Sequence, residues 1–140
     1  MNKIKELRIK QSDVDKLLDW VDENAPIEAC AMLIGIIKRN IAYVDEVVLT
    51  PNDTPSSAEF QIDPELQWKI IEGALEKEKN VVSIFHSHPL GSYPSSIDEE
   101  RMKWHSNAVW LIKGRPRAAP MQGYQWVADE IVEVKLTITS

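Results

Sequence analysis

Residues 80–89, NVVSIFHSHP, combine an apolar run with two histidines and a proline. The run from Val81 to Phe85 is almost wholly apolar, and Pro89 cannot donate to a sheet ladder, so we predict a central strand that ends at the proline. Residues two apart on a strand point to the same face, about 6.6–6.8 Å apart along the chain. His86 and His88 are therefore expected to converge on one cation at the end of this strand.

The remaining elements alternate along the chain. The apolar run 29–37 predicts a second buried strand, and Asp63-Pro64 provides an N-cap and a first helical residue for a helix that runs to about residue 79. Ser12 with Asp15 resembles a capping box for a helix over 13–24. Further predictions are a helix over 97–105 and strands over 3–9, 41–49, 58–62, 108–113, 119–127 and 130–138. This order predicts an α+β fold in which helices pack on a central, mixed, largely antiparallel sheet.

The composition is that of an ordinary soluble globular domain, with 44% hydrophobic and 27% charged residues in 140. We find no repeat or linker-like stretch, and we predict a single domain over residues 1–140. The net charge of −6 and the interspersed charges argue against a nucleic-acid partner. The absence of a long apolar run, of a signal-like start and of a second cysteine beside Cys30 leads us to expect a cytoplasmic protein without a membrane partner. The oligomeric state does not follow from the sequence.

Two further acidic residues complete a candidate metal site. Asp98 lies ten residues beyond His88, near the start of a predicted helix, so the intervening loop can fold back and present a third ligand. Two His and one Asp suit a zinc ion that keeps a fourth position for water. Such a site also needs a carboxylate to move protons, and Glu28 is the best candidate, because an acidic residue beside an apolar strand needs a partner or a function.

Four segments of the sequence resemble those of a known protein family. The segments PIEACAMLIG at 26–35, FQIDP at 60–64, HSHP at 86–89 and SSID at 95–98 are similar, in order, to the JAMM or MPN-plus zinc metalloproteases. The resemblance covers about residues 5–112 and implies a three-layer α/β/α arrangement. It also implies that one zinc ion is held by His86, His88 and Asp98, that Glu28 is the general acid/base, and that Ser95 helps to stabilise the oxyanion.

The choice of serine stays open at this stage. Five residues separate Pro89 from Ser95, where the family usually has six or seven, so Ser96 is the alternative oxyanion stabiliser. Ser95 with Asp98 and Ser96 with Glu99 both match a capping box. If Ser96 caps the helix with Glu99, then Ser95 and Asp98 are free to face the metal.

The resemblance implies a zinc-dependent isopeptidase or peptidase of the prokaryotic, deubiquitinase-like type. Its substrate would be a ubiquitin-like modifier, cleaved after the glycine of its Gly-Gly tail, with residues 56–62 and a loop over 89–94, including Tyr93, facing the tail. One alternative is a peptidase that processes a ubiquitin-like sulfur-carrier protein, and another is a non-catalytic scaffold. A nucleobase deaminase is disfavoured because His-x-Glu and Pro-Cys-x-x-Cys elements are absent. Cys30 is disfavoured as a nucleophile because it lies in an apolar strand.

Overall fold

Seven strands and three helices form the computed structural model, which describes residues 3–54 and 56–140. The strands are β1 (Glu6–Lys10), β2 (Cys30–Lys38), β3 (Ile41–Thr50), β4 (Asn80–Ser87), β5 (Val109–Lys113), β6 (Met121–Val127) and β7 (Glu130–Thr139). The helices are α1 (Gln11–Asn24), α2 (Pro64–Glu76) and α3 (Ser96–Met102). In this part of the chain, none of the three helices is long and apolar enough to cross a membrane.

The sheet closes on itself in the order β1-β3-β2-β4-β5-β6-β7. β2 pairs antiparallel with β3 and β4, and β6 pairs antiparallel with β5 and β7, whereas β1–β3, β1–β7 and β4–β5 are parallel. The predicted mixed, largely antiparallel sheet is confirmed. The prediction of a simple layered sheet flanked by helices is wrong, because β1 pairs with β7 as well as β3 and converts the two open edges into a barrel.

Apolar side chains alternate between the two faces of the strands and form two clusters. One cluster joins α1 to the sheet through Val14, Leu17 and Val21. The other joins the opposite face to α2 and α3 through residues that include Ile70 and Met102. Helix α1 therefore packs against one face of the closed sheet, and α2 and α3 pack against the other.

A bulge in β4 sets which face carries the imidazole of His86. Leu33 of β2 pairs with Ser83, but the next residue of β2 pairs with Val81, so Val82 is an extra residue on β4. After the bulge, Phe85 joins the cluster of α1, whereas Ile84 joins the cluster of α2 and α3. His86 follows Ile84 on that same side, toward α3.

Two local expectations need correction, and a third is confirmed. Residues 58–62 do not form a strand; Phe60 and Ile62 are buried against the sheet face of α2 without a ladder partner. Ser12 does not cap α1. The helix begins at Gln11, and Lys10 is its N-cap. The predicted start of α2 is confirmed, since the carboxylate of Asp63 accepts a hydrogen bond from the Leu66 amide at 3.1 Å.

Candidate metal centre

Three side chains that the sequence predicted as ligands meet in the structure. His86 Nε2 lies 2.9 Å from His88 Nε2, and Asp98 Oδ2 lies 3.0 Å from the first nitrogen and 2.8 Å from the second. All three side chains are buried. Two imidazole nitrogens and one carboxylate oxygen thus form a small triangle at the junction of β4 and α3.

The pairing of β2 with β4 brings Glu28 to this triangle. Ser87 N donates to the carbonyl of Ala29 at 3.0 Å, and Ala29 N donates to Ser87 Oγ at 2.9 Å. This reciprocal pair places Glu28, the residue before Ala29, beside the two imidazoles. One carboxylate oxygen of Glu28 and one ring nitrogen each of His86 and His88 lie within 4.8 Å of one another.

Asp98 reaches the imidazoles from the first turn of α3. Ser95 is the N-cap: its Oγ accepts from Asp98 N at 3.1 Å, and Asp98 Oδ2 accepts from Ser95 N at 3.0 Å. The alternative in which Ser96 caps with Glu99 is therefore wrong, and Ser96 is exposed. Capping and metal binding are compatible at Asp98, because its Oδ2 faces both the Ser95 amide and the imidazoles.

The protonation states of the triangle follow from burial and from these contacts. Burial lowers the pKa of His86, and this outweighs the opposing effect of Asp98, so the imidazole is neutral. Burial alone would raise the pKa of Asp98, but hydrogen bonds from His86, His88 and Ser95 hold it well below its usual range. Neutral imidazole and ionised carboxylate are the forms that bind metal ions.

Glu28 is buried and differs from Asp98 in its surroundings. It is 3% exposed, and its Oε1 has no hydrogen-bond partner within the described part of the chain. Burial raises the pKa of Glu28 to about 8, with a further increase from the Asp98 carboxylate and an opposing effect of Arg101. An unsatisfied buried carboxyl costs stability, so this position points to a function for Glu28.

The ring of His86 is enclosed by aromatic side chains. Phe60 stacks on it with centroids 4.5 Å apart and planes at 24°, and Trp110 meets it edge-on at 5.9 Å. Metal-binding histidines usually donate their second ring N–H to a carboxylate or carbonyl. Among the described residues, His86 Nδ1 has no such acceptor. At its Nδ1 side the His86 ring is therefore held by packing, chiefly by Phe60, whereas its Nε2 contacts Asp98 and His88.

The donor set fits a zinc ion. With bonds of about 2.0–2.1 Å, neighbouring ligand atoms of a tetrahedral zinc site lie about 3.3 Å apart. The three atoms described above are 2.8–3.0 Å apart, so they need to separate by only a few tenths of an ångström. Nitrogen and carboxylate ligands without thiolates are also the set that catalytic zinc sites commonly use.

Cys30 and Asn52 complete the surroundings of Glu28. Cys30 is fully buried, and burial raises the pKa of its thiol to about 11, which confirms it as a poor nucleophile. Asn52 donates to the carbonyl of Glu28 at 3.0 Å, a contact that sequence analysis missed. In the sequence Asn52 is one polar residue among the turn-forming residues TPNDTPSS, and nothing in that pattern separates it from its neighbours.

A barrel-like α+β sheet with an imidazole pair at the end of β4 and a carboxylate on α3 is the arrangement expected of a JAB-type domain. The chain belongs to this family: the model described as prokaryotic homologs of the JAB domain matches residues 10–127. This confirms the resemblance that the motifs indicated.

Two relatives show how far the likeness extends. The chain is 35% identical, over 126 residues, to the desampylase of Pyrococcus furiosus, with 84% of this chain and 81% of the relative covered. The solution structure of protein DSY2949 from Desulfitobacterium hafniense superposes with a TM-score of 0.85 at 20% identity, covering 96% of this chain and 93% of the other. The second comparison supports the fold alone.

Proposed function

We propose that the protein is a zinc-dependent isopeptidase or peptidase that cleaves after the C-terminal glycine of a ubiquitin-like modifier. The observation that carries the proposal is the meeting of His86 Nε2, His88 Nε2 and Asp98 Oδ2 with the buried carboxyl of Glu28 beside them. The likeness to a desampylase supports a small archaeal-type modifier as the substrate class.

His86, His88 and Asp98 would hold the zinc ion. When bound, zinc lowers the pKa of a water molecule and polarises a carbonyl group. The burial of all three ligands favours a dry site, in which electrostatic interactions are stronger than in bulk water. A neutral imidazole and an ionised carboxylate, the forms that burial and hydrogen bonding favour at His86 and Asp98, are the forms that bind a metal ion.

Glu28 would move the proton. A nearby divalent cation favours the carboxylate, and so brings the raised pKa of Glu28 down toward neutrality. The carboxylate accepts a proton from the attacking water and delivers it to the departing amine. Its lack of a hydrogen-bond partner leaves Oε1 available for this role.

Ser95 would stabilise the oxyanion. Its Oγ accepts the hydrogen bond from Asp98 N, so capping uses a lone pair and leaves the hydroxyl proton free to donate. Ser95 is half-buried at the start of α3, next to Asp98, whereas Ser96 is exposed. Capping and oxyanion stabilisation are therefore compatible at Ser95.

The loop between His88 and Asp98 would form one wall of the tail-binding site. Ser92 is buried and donates to Gln122 Oε1 at 3.0 Å, which anchors the loop to β6. Tyr93 is 63% exposed, and its ring packs against Tyr124 at 5.4 Å. The loop therefore presents an apolar surface from a fixed base, which suits recognition of an extended peptide.

The substrate class is tested by comparing two substrates with the same Gly-Gly tail. A linear fusion and a lysine-linked conjugate of one modifier are incubated with the zinc-loaded wild type and with Glu28→Gln. An isopeptidase hydrolyses the conjugate at a rate at least equal to that of the fusion, and only with Glu28 present. Preference for the linear fusion favours processing of a sulfur-carrier protein, and hydrolysis of neither substrate by a folded, zinc-loaded chain favours the scaffold.

A further inference from the structure

Asn52 uses all the hydrogen-bonding groups of its side-chain amide. Its Nδ2 donates to the carbonyl of Glu28 at 3.0 Å and to the carbonyl of Glu59 at 3.1 Å. Its Oδ1 accepts from Thr54 N at 2.9 Å and from Gln61 N at 3.0 Å. Each amide hydrogen meets a carbonyl and each lone pair meets a backbone N–H, so the orientation of the amide is fixed by its partners.

These partners connect the two sides of the candidate metal centre. One is the backbone of Glu28, the proposed proton carrier. Two others, Glu59 and Gln61, lie on either side of Phe60, whose ring stacks on His86. Asn52 thus ties the backbone of Glu28 to the segment that covers the face of His86.

Two other contacts hold the Glu28 backbone and the Phe60 segment, but they do not replace the hydrogen bonds of Asn52. Glu28 N donates to the carbonyl of Ser56 at 2.9 Å, so the Glu28 backbone is held on both its polar groups. Arg101 of α3 donates to the carbonyl of Phe60 and lies over its ring, 5.6 Å from the centroid. Asn52 joins these two attachments to each other, and a backbone bond from Asp53 N to the carbonyl of Gln61 at 2.7 Å supports the same segment.

We propose that Asn52 is a positioning residue that sets the place of the Glu28 carboxyl relative to the His86 imidazole. The inference rests on the proposed function, because it assigns Asn52 a role in the proton transfer by Glu28. The side chain of Glu28 has no hydrogen bond at Oε1, so its position depends on its backbone. A displacement of about 1 Å of a reacting group can lower a rate by roughly 100-fold.

Two variants and one control test the inference on the full chain. Asn52→Asp is nearly isosteric and keeps both acceptor contacts, but it turns an oxygen toward the carbonyls of Glu28 and Glu59. Asn52→Ala removes all four bonds. Thr54→Ala is the matched control: it lies in the same segment and loses only a weak 3.5 Å contact with Gln61 Oε1.

We expect both Asn52 variants to lower kcat by about 10–100-fold on a Gly-Gly-tailed fusion, the range typical for groups that orient a metal-site residue. Thr54→Ala should stay within about 2-fold. Zinc affinity, measured by competition with a chromophoric chelator, should change by less than about 3-fold, because Arg101 still holds the carbonyl of Phe60 beside His86 and the three proposed ligands lie on β4, on α3 and in the loop between them. Loss of zinc affinity in parallel with kcat would overturn the inference.

A double-mutant cycle separates positioning of Glu28 from general damage. In the Glu28→Gln background, measured over long incubations, Asn52→Ala should change the residual rate by less than about 3-fold, since its target is already removed. An equal loss in both backgrounds, or wild-type kcat in both Asn52 variants, would show that Asn52 does not act through Glu28. Full activity of Glu28→Gln itself would instead overturn the proposed function.

Discussion

Ser95 and Asp98 hold each other in a reciprocal pair, in which each side chain accepts a hydrogen bond from the other residue's backbone N–H. The same Asp98 oxygen that closes this pair lies 2.8 Å from His88 Nε2. The start of α3 and the candidate metal centre therefore share one atom. Local helix stability and metal-site geometry are coupled at this point.

Ser95→Ala should affect both stability and activity. Loss of the N-cap is expected to lower the free energy of unfolding by about 1 kcal/mol. Loss of the hydroxyl donor should lower kcat by roughly 100- to 1,000-fold if Ser95 stabilises the oxyanion. Urea unfolding and steady-state hydrolysis measure the two effects. Ser96→Ala is the control and should change neither; equal effects of the two substitutions would contradict the assignment of Ser95.

Cys30 should be unreactive in the folded protein. Burial raises the pKa of its thiol to about 11, and the nearby Glu28 carboxyl acts in the same direction. At pH 8 only about one thiol in a thousand is then ionised, so a thiol reagent should react slowly with the native protein and at the ordinary rate in urea. Cys30→Ala should keep most of the turnover. If Cys30→Ala is inactive while zinc stays bound, the Cys30 thiol takes part in the reaction and the prediction is wrong.

The metal-free protein should lose stability as the pH rises, because of Glu28. The pKa of this carboxyl is about 8 in the folded chain and about 4.5 when exposed, so the folded state binds the proton more tightly. This stabilisation is fully present below about pH 4.5 and is lost as the pH rises through about 8. Asp98 and Glu59 add to the upward shift and Arg101 opposes it.

The test compares wild type with Glu28→Gln, both free of metal, in urea at pH 5 and pH 8.5. Other groups titrate alike in the two proteins, so the difference isolates Glu28. Between these pH values, wild type should lose roughly 2–4 kcal/mol more than the variant. Parallel stability curves would show that the Glu28 pKa is not raised.

Tyr93→Ala should weaken substrate binding more than it slows the reaction. Its exposed ring stands on the loop between His88 and Asp98, and in our proposal it contacts the peptide tail. KM should rise several-fold with kcat within about 2-fold. Trp104→Ala removes an even more exposed aromatic ring, 84% accessible, just beyond α3, and serves as the control. An unchanged KM for Tyr93→Ala would remove this residue from the tail site.

Local sequence patterns predicted those parts of the fold that are determined by neighbouring residues. The apolar runs of β2 and β4 and the Asp63 cap of α2 were identified because burial and capping leave a signature within a few residues. Closure of the barrel was missed, since it depends on Glu6–Lys10 pairing with residues 135–139 at the other end of the chain. Nothing local in β1 or β7 indicates that partner.

In the candidate site, too, some features follow from local sequence and others depend on distant partners. His86, His88, Asp98 and Glu28 were found because ligand chemistry restricts residue type and spacing, and the structure brings all four together. The prediction of a strand over 58–62 is wrong. The large apolar side chains of this segment are indeed buried, but its backbone is held by the side chains of Asn52 and Arg101 and by one backbone bond from Asp53 N, and not by a neighbouring strand.

Zinc content and turnover, measured together, show whether His86, His88 and Asp98 hold a zinc ion that works with Glu28. The purified wild type, Glu28→Gln and His88→Ala are analysed for bound zinc and assayed on a Gly-Gly-tailed fusion. We predict about one zinc per chain in wild type and in Glu28→Gln, turnover only in wild type, and loss of both in His88→Ala. Loss of zinc from Glu28→Gln would make Glu28 a ligand, and retained turnover in that variant would remove it from the mechanism; either result contradicts the account.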